Sequence, residues 1–175
     1  MSFPIRQLTA EDTEDVARLR ISGWRYAYRG VVPDAYLAAM DPAVMAARLR
    51  AALPFPAGRA DLVADAGADG IAGWAALGPY RPDDGADPPD AAPAGELYAL
   101  YVRPDAIGTG VGRGLMAASL DLLRAFGHRH VRLWVVRENA RARRFYERAG
   151  FTAEPTTRTG DVGGQPLTEV RFART

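Results

Sequence analysis

The stretch L97-Y-A-L-Y-V-R-P-D-A-I-G-T-G-V-G-R-G114 decides how this chain folds. Its first six residues read as an apolar strand, which passes through a Pro-containing turn into a glycine-rich loop. From Val111 the period changes: VGRGLMAASLDLLRAFG places Val111, Leu115, Leu122 and Phe126 near one face of a helix over Val111–Phe126. A strand, a glycine turn and a helix start together make an anion site, because the first turn of a helix has unpaired N–H groups and the positive end of its dipole. Gly108, Gly110, Gly112 and Gly114 let a ligand approach the backbone. The pattern points to a phosphate-bearing ligand; taken alone, it is equally read as a tight turn. No lysine or hydroxyl follows Gly112 or Gly114, so the loop is not a nucleoside-triphosphate P-loop. It follows the fourth strand rather than the first, and the next strand ends in Val136-Arg137 without an acid, against a dinucleotide fold.

Working outward, Phe3–Leu8 reads as a strand, and Thr9 with Asp12 as a carboxylate capping box for a helix carrying Val16, Leu19, Trp24 and Ala27 to about Gly30. A second helical piece spans Pro33–Met40, and Asp41-Pro42 opens a third to about Leu53. Asp61–Asp65 and Ile71–Leu77 form an antiparallel hairpin about AGADG. Gly78–Gly95, rich in Pro, Asp and Ala, is a surface loop. Glu96–Val102 and Val131–Val136 are strands, Asn139 caps a helix ending at Ala149-Gly150, and two strands close the chain, the last over Leu167–Ala173. The order predicts a single α/β domain over residues 1–175, a mixed sheet with helices on both faces.

Composition narrows the chemistry. The chain has 175 residues, 25% of them charged, with a net charge of +1, which argues against a wholesale nucleic-acid or membrane binder. There is no cysteine, which excludes disulfides, thiolate zinc sites and a cysteine nucleophile. The start MSFPIRQLTAED lacks a basic-then-apolar leader pattern and no apolar run approaches membrane length, so the expectation is a soluble, cytoplasmic protein. His128 and His130 read as a solvated turn, since two ligands with no third make no metal site. Ser22 and Ser119 fall inside predicted helices with no histidine nearby in sequence, which argues against a covalent acyl-enzyme.

The run V-R-P-D-A-I-G-T-G-V-G-R-G-L-M, followed by E-N-A-R-A-R-R-F-Y-E-R-A-G-F, resembles the GNAT acyltransferase superfamily, and the likeness extends over nearly the whole chain. The resemblance implies a mostly antiparallel sheet of about seven strands with one splayed parallel pair. It also implies direct transfer of an acetyl group from acetyl-CoA to a primary amine of a small molecule or peptide, in a ternary complex. Carried over by position, Ile107, Gly108, Thr109, Gly110, Val111 and Gly112, with Arg113 beside them, hold the CoA pyrophosphate. The family usually has Gln or Arg where this chain has Ile107, a change that leaves the backbone donors in place. Tyr101 and Val102 offer main-chain groups to pantetheine, and Asn139 matches the asparagine that starts the following helix.

Tyr146 matches the family's general acid: a phenol within reach protonates the departing thiolate. Without the motif, Phe145 and Tyr146 read as core aromatics. For the base, Glu96 opens the strand before the glycine loop, where the family often keeps a glutamate; the other reading is a strand-end charge. Trp134 occupies the place on the next strand where some relatives carry their glutamate, and Glu138 is a further option. Trp24 and Tyr28 are the candidate acceptor wall, and equally candidates for the core. Asp83, Asp84, Asp87 and Asp90 read as a solvated acidic loop, the other reading being electrostatic attraction of a cationic amine. Arg137, Arg141, Arg144 and Arg148 share a helix face, but Glu138 and Glu147 interrupt it, so the stripe is assigned to a CoA phosphate and to solvent rather than to nucleic acid. The closing strands, around Val162–Arg174, are the candidate edge for a homodimer. A catalytically silent acyl-CoA-binding module and an unrelated nucleotide-binding α/β protein are the alternatives.

Overall fold

The computed structural model describes residues 3–82 and 93–175. Asp83, Asp84, Asp87 and Asp90 lie outside the described residues. Along the chain run β1 (Ile5–Gln7), α1 (Thr13–Ala27), α2 (Asp34–Ala38), α3 (Pro42–Ala51), β2 (Ala60–Asp65) and β3 (Ile71–Pro79). They are followed by β4 (Ala94–Val102), α4 (Val111–Ala125), β5 (His130–Val136), α5 (Ala140–Arg148), β6 (Thr152–Val162) and β7 (Gln165–Arg174). Among the described residues the strands form one seven-stranded sheet in the order β1-β2-β3-β4-β5-β7-β6. The β4–β5 pair is parallel and the others are antiparallel. The candidate dimer edge therefore falls on β6, which ends the sheet, with β7 paired on both sides.

Local sequence chemistry sets the element ends as expected. The Thr9 amide and hydroxyl both donate to Asp12, at 2.8 and 2.9 Å, and Asp41 accepts from the Ala43 amide at 2.7 Å. The hairpin strands are longer than their apolar runs, β3 reaching Pro79 and β4 starting at Ala94. Their ends are held by pairing across the sheet, which no local pattern reports.

Helices cover both faces. Leu115, Met116, Leu120 and Leu123 of α4 bury Leu62, Ala75, Leu97, Leu133 and Phe172 on one side. On the other, Val16 and Leu19 of α1 pack with Val63 and Trp74, and a third cluster joins Tyr28, Val32 and Leu37 to Val136 and Leu167. Gly73 explains how closely α4 lies on the sheet: a Cβ there would stand 2.7 Å from both Val111 and Leu115.

Two irregularities shape the centre of the sheet. Between β3 and β4 the register runs Ala76↔Ala99 and then Leu77↔Leu97, so Tyr98 is an extra residue that bends β4. Between β4 and β5 the pairing runs from Ala94↔His130 to Leu97↔Leu133 and stops. Beyond it, residues 98–102 and 134–136 are not paired with each other, and the parallel strands part.

Candidate active site

The glycine loop closes the mouth of this parting. A turn of 3-10 helix at Pro104–Ala106 precedes it, and both the amide and the hydroxyl of Thr109 donate to the Ala106 carbonyl, at 3.3 and 2.7 Å. The Ile107 amide makes a long bond of 3.4 Å to Pro104. Two of the predicted donors, those of Ile107 and Thr109, are thus turned into their own loop. The amides of Gly108, Gly110, Val111, Gly112 and Arg113 remain, with no hydrogen-bond partner among the described residues. Gly110 starts α4 with φ near +100°, a left-handed conformation that aims these groups outward. The Arg113 guanidinium folds back over Gly110, 3.8 Å from where a Cβ would stand. Five amides without a partner among the described residues, a helix N-terminus and an arginine make this end of the cleft favourable to negative charge.

Groups that sequence separates by more than a hundred residues meet at the gap. On β4, Tyr101 stacks on Trp74 with ring centroids 6.0 Å apart, and its hydroxyl accepts from Trp24 Nε1 at 2.8 Å. Past Leu97 β4 has no partner on its β5 side; the Arg103 amide bond to the Ala72 carbonyl sets the register, so the Tyr101 backbone groups face Trp74 of β3 and those of Val102 face the gap, which corrects the expectation for Tyr101. Asn139 caps α5, accepting from the Ala142 amide at 3.0 Å.

Tyr146 stands on α5 and turns its ring into the core beneath α4. It is 8% exposed, its ring held among Phe145, Phe151 and Phe172 with centroids 5.4, 6.1 and 6.5 Å away. Its hydroxyl makes no hydrogen bond among the described residues. Burial, and secondarily the neighbouring Tyr101, hold the phenol above the ordinary tyrosine range. The two readings of Phe145 and Tyr146 are therefore compatible: the rings are core, and the Tyr146 oxygen stands unused beside the parted strands.

Glu96 lies one residue pair before the parting and is 2% exposed. Arg81 occupies both carboxylate oxygens, its amide and Nε donating to Oε2 at 3.0 and 3.2 Å and its Nη2 to Oε1 at 2.7 Å. The strand-end charge of the sequence reading is in fact a buried, clamped carboxylate.

The acetyltransferase (GNAT) family profile matches residues 28–151. The chain belongs to this family. As a GNAT protein it is 56% identical over 64 residues to mycothiol acetyltransferase of Beutenbergia cavernae, a match covering 37% of this chain and 21% of that protein. It thus spans about a fifth of that relative's length. It is 26% identical over 136 residues to the N-acetyltransferase YuaI of Bacillus subtilis, covering 77% of this chain and 72% of YuaI. In fold it is similar to PaiA N-acetyltransferase of Thermoplasma acidophilum, solved with coenzyme A (TM-score 0.72, 22% identity, 97% of this chain and 98% of that one). The acetyl-CoA complex of YncA from Salmonella typhimurium gives a TM-score of 0.68 at 20% identity, over 99% and 94% of the two chains.

Within this GNAT fold the remaining predicted residues divide. Trp24 is half-buried and bonded to Tyr101, and Tyr28 is a core residue, 9% exposed, its ring edge-on to Trp24 at 4.8 Å. Both rings are packed against neighbouring side chains, Tyr28 as part of the core cluster with Val136 and Leu167. Arg141 donates to the Tyr26 hydroxyl at 2.9 Å, tying α5 to the end of α1, and Arg143 caps the Arg137 carbonyl at 3.3 Å. Among the described residues no cluster of three metal-ligating side chains occurs and no helix is long and apolar enough to cross a membrane.

Sequence reasoning missed Arg81, and with it Glu154, Arg158, Glu169 and Arg171 around Trp134. Arg171 donates to Glu154 at 2.5 Å and Arg158 to Glu169 at 2.6 Å, with the Arg158 guanidinium 4.4 Å from the Trp134 ring centre. No local motif marks them. The available signal was the alternation of charged residues at Glu169 and Arg171 within an otherwise apolar closing strand.

Proposed function

We propose that this chain transfers the acetyl group of acetyl-CoA to a primary amine of a small molecule, by direct attack in a ternary complex. The observation that carries the reading is the parting of β4 and β5 between an amide-lined phosphate site and an unbonded, buried tyrosine hydroxyl. The amides of Gly108, Gly110, Val111, Gly112 and Arg113 hold the pyrophosphate, and the open edge at Val102 receives the pantetheine amides. Relatives named mycothiol acetyltransferases support a small-molecule acceptor, although this chain matches them over a minority of their length.

In this reading the amine attacks the thioester carbonyl, the C–S bond breaks, and Tyr146 protonates the thiolate. A phenol raised by burial keeps its proton across the physiological range, and the same dry site raises the thiol, so the pair stays matched. Glu96 serves as base on one condition: Arg81 must first release one of its oxygens.

Parallel calorimetric titrations with acetyl-CoA, CoA, ATP and NAD test the proposal. Micromolar binding of acetyl-CoA and CoA, without ATP or NAD, is expected. Absence of CoA binding would end the enzyme reading, and binding of CoA with no acetyl transfer to any amine in a library would leave a silent binding module.

A further inference from the structure

On β7 the residues facing α1 and α2 begin with Leu167, which packs against Tyr28 and Val136. The next on that face is Glu169, paired with Val136 of β5 and with Arg158 of β6. Val136 belongs to the part of β5 that has left β4, so Glu169 lies beside the open end of the gap. Arg158 Nε donates to Glu169 Oε2 at 2.6 Å, and Oε1 bonds to nothing among the described residues. Its side chain is 28% exposed, enough for a solute to reach it. Glu96 differs in both respects, being closed off and bonded at both oxygens.

This carboxylate stands beside the Val136 end of β5, beyond the last β4–β5 pair. Tyr28 from the end of α1 and Tyr101 from β4 are both raised chiefly by burial, and both also feel the Glu169 charge. The charged groups beside it are Arg158 of β6, which it bonds, and Arg171, two residues on along the same face of β7, while Tyr28 and Tyr101 feel its charge. Arg158 is fixed over the Trp134 ring, so the partnered oxygen is held while the other is presented.

We infer that Glu169, rather than the clamped Glu96, receives the acceptor's ammonium group and takes its first proton. The inference rests on the amine-acetylating reading above. The ammonium gives one proton to Glu169 Oε1, which passes it to solvent. The freed lone pair forms the C–N bond at the thioester carbonyl, and collapse of the adduct breaks the C–S bond. The thiolate takes the Tyr146 proton, and the second proton leaving nitrogen restores the phenol through water. One proton is released per turnover, and no other reagent is consumed.

Glu169→Gln preserves the shape and an acceptor for Arg158 while removing the base. Glucosamine, spermidine and an alanine-initiated peptide serve as probes with acetyl-CoA, thiol release being followed from pH 6 to 10. For whichever amine the wild type acetylates, the variant is expected to lose roughly 10²-fold in kcat/KM at pH 7, with its rising limb displaced toward the amine's own pKa. Calorimetric CoA affinity and the melting temperature should stay unchanged, which separates this role from a structural one. A profile superimposable on the wild type, or one moved by Glu96→Gln and not by Glu169→Gln, overturns the inference and leaves the enzyme reading standing. A wild type that binds no acetyl-CoA and acetylates none of the probes overturns both.

Discussion

Replacing Tyr146 by Phe removes a single oxygen, and the structure says what that oxygen does and does not do. The ring contacts with Phe145, Phe151 and Phe172 are unchanged by the substitution. No protein hydrogen bond is lost among the described residues, so stability should move by no more than about 1 kcal/mol. In a domain of this size that is a shift of roughly 2–4 °C in Tm. Loss of general-acid assistance has a different scale: roughly 10²-fold in kcat, or about 2.7 kcal/mol of activation free energy. The assay pairs steady-state thiol release with calorimetric CoA binding and a thermal melt. The expected signature is a kcat lowered by two decades with Kd for CoA and Tm held. Because burial raises the phenol, deprotonation of Tyr146 should cause no falling limb in the wild-type profile below about pH 10. A variant within threefold of wild-type kcat would refute the acid assignment, and a large drop in Tm would show that an unseen bond had been cut.

Gly112→Asp has room, since a Cβ there meets Val102 at 3.4 Å and Phe145 at 3.5 Å, and an acid in the first turn favours the helix. Tm should hold while CoA binding falls below detection by calorimetry; retained affinity would mean the loop is only a turn. Arg81→Ala strips the two side-chain hydrogen bonds from the buried Glu96 carboxylate, leaving only the bond from the residue-81 amide, and should lower stability by about 2 kcal/mol, read as denaturant midpoint at constant slope. Asp61 is 2% exposed, accepts one bond from Trp74 at 2.9 Å and has its other oxygen unpartnered; burial raises it to about 6. A carboxyl raised in the folded state stabilises fully below its unfolded value, and that contribution disappears as pH rises through about 6, a change of about 2–3 kcal/mol. Asp61→Asn should therefore flatten melts between pH 4 and 7 and raise Tm at pH 7. Asp12, held down to about 2 chiefly by its hydrogen bond with Arg6, works oppositely and loses its contribution only in strong acid. A wild-type Tm rising steadily from pH 4 to 7 would contradict the Asp61 assignment.

The sequence by itself determined the elements and the glycine loop at the start of α4, because both are local. Hydrophobic period, the Thr9–Asp12 box, Asp41-Pro42, Asn139 and the spacing of Gly108 and Gly110 act within one helical turn or one loop. Tyr146 was legible for the same reason, through the fixed run N-A-R-A-R-R-F-Y. Only the tertiary structure decided which side chains face one another across the parted strands. Arg81 reaches Glu96 across a hairpin, Trp24 reaches Tyr101 across 77 positions, and Glu169 of the last strand pairs with Val136 at the parted end of β5. Such encounters depend on sheet order and on the extra residue at Tyr98, which redirects every β4 side chain after it. A strand pattern states only that alternate residues share a face; the neighbours on that face are chosen by pairing over long separations. For that reason the glycine loop was written in a motif, and the neighbours of Glu96, Tyr101 and Glu169 in the fold.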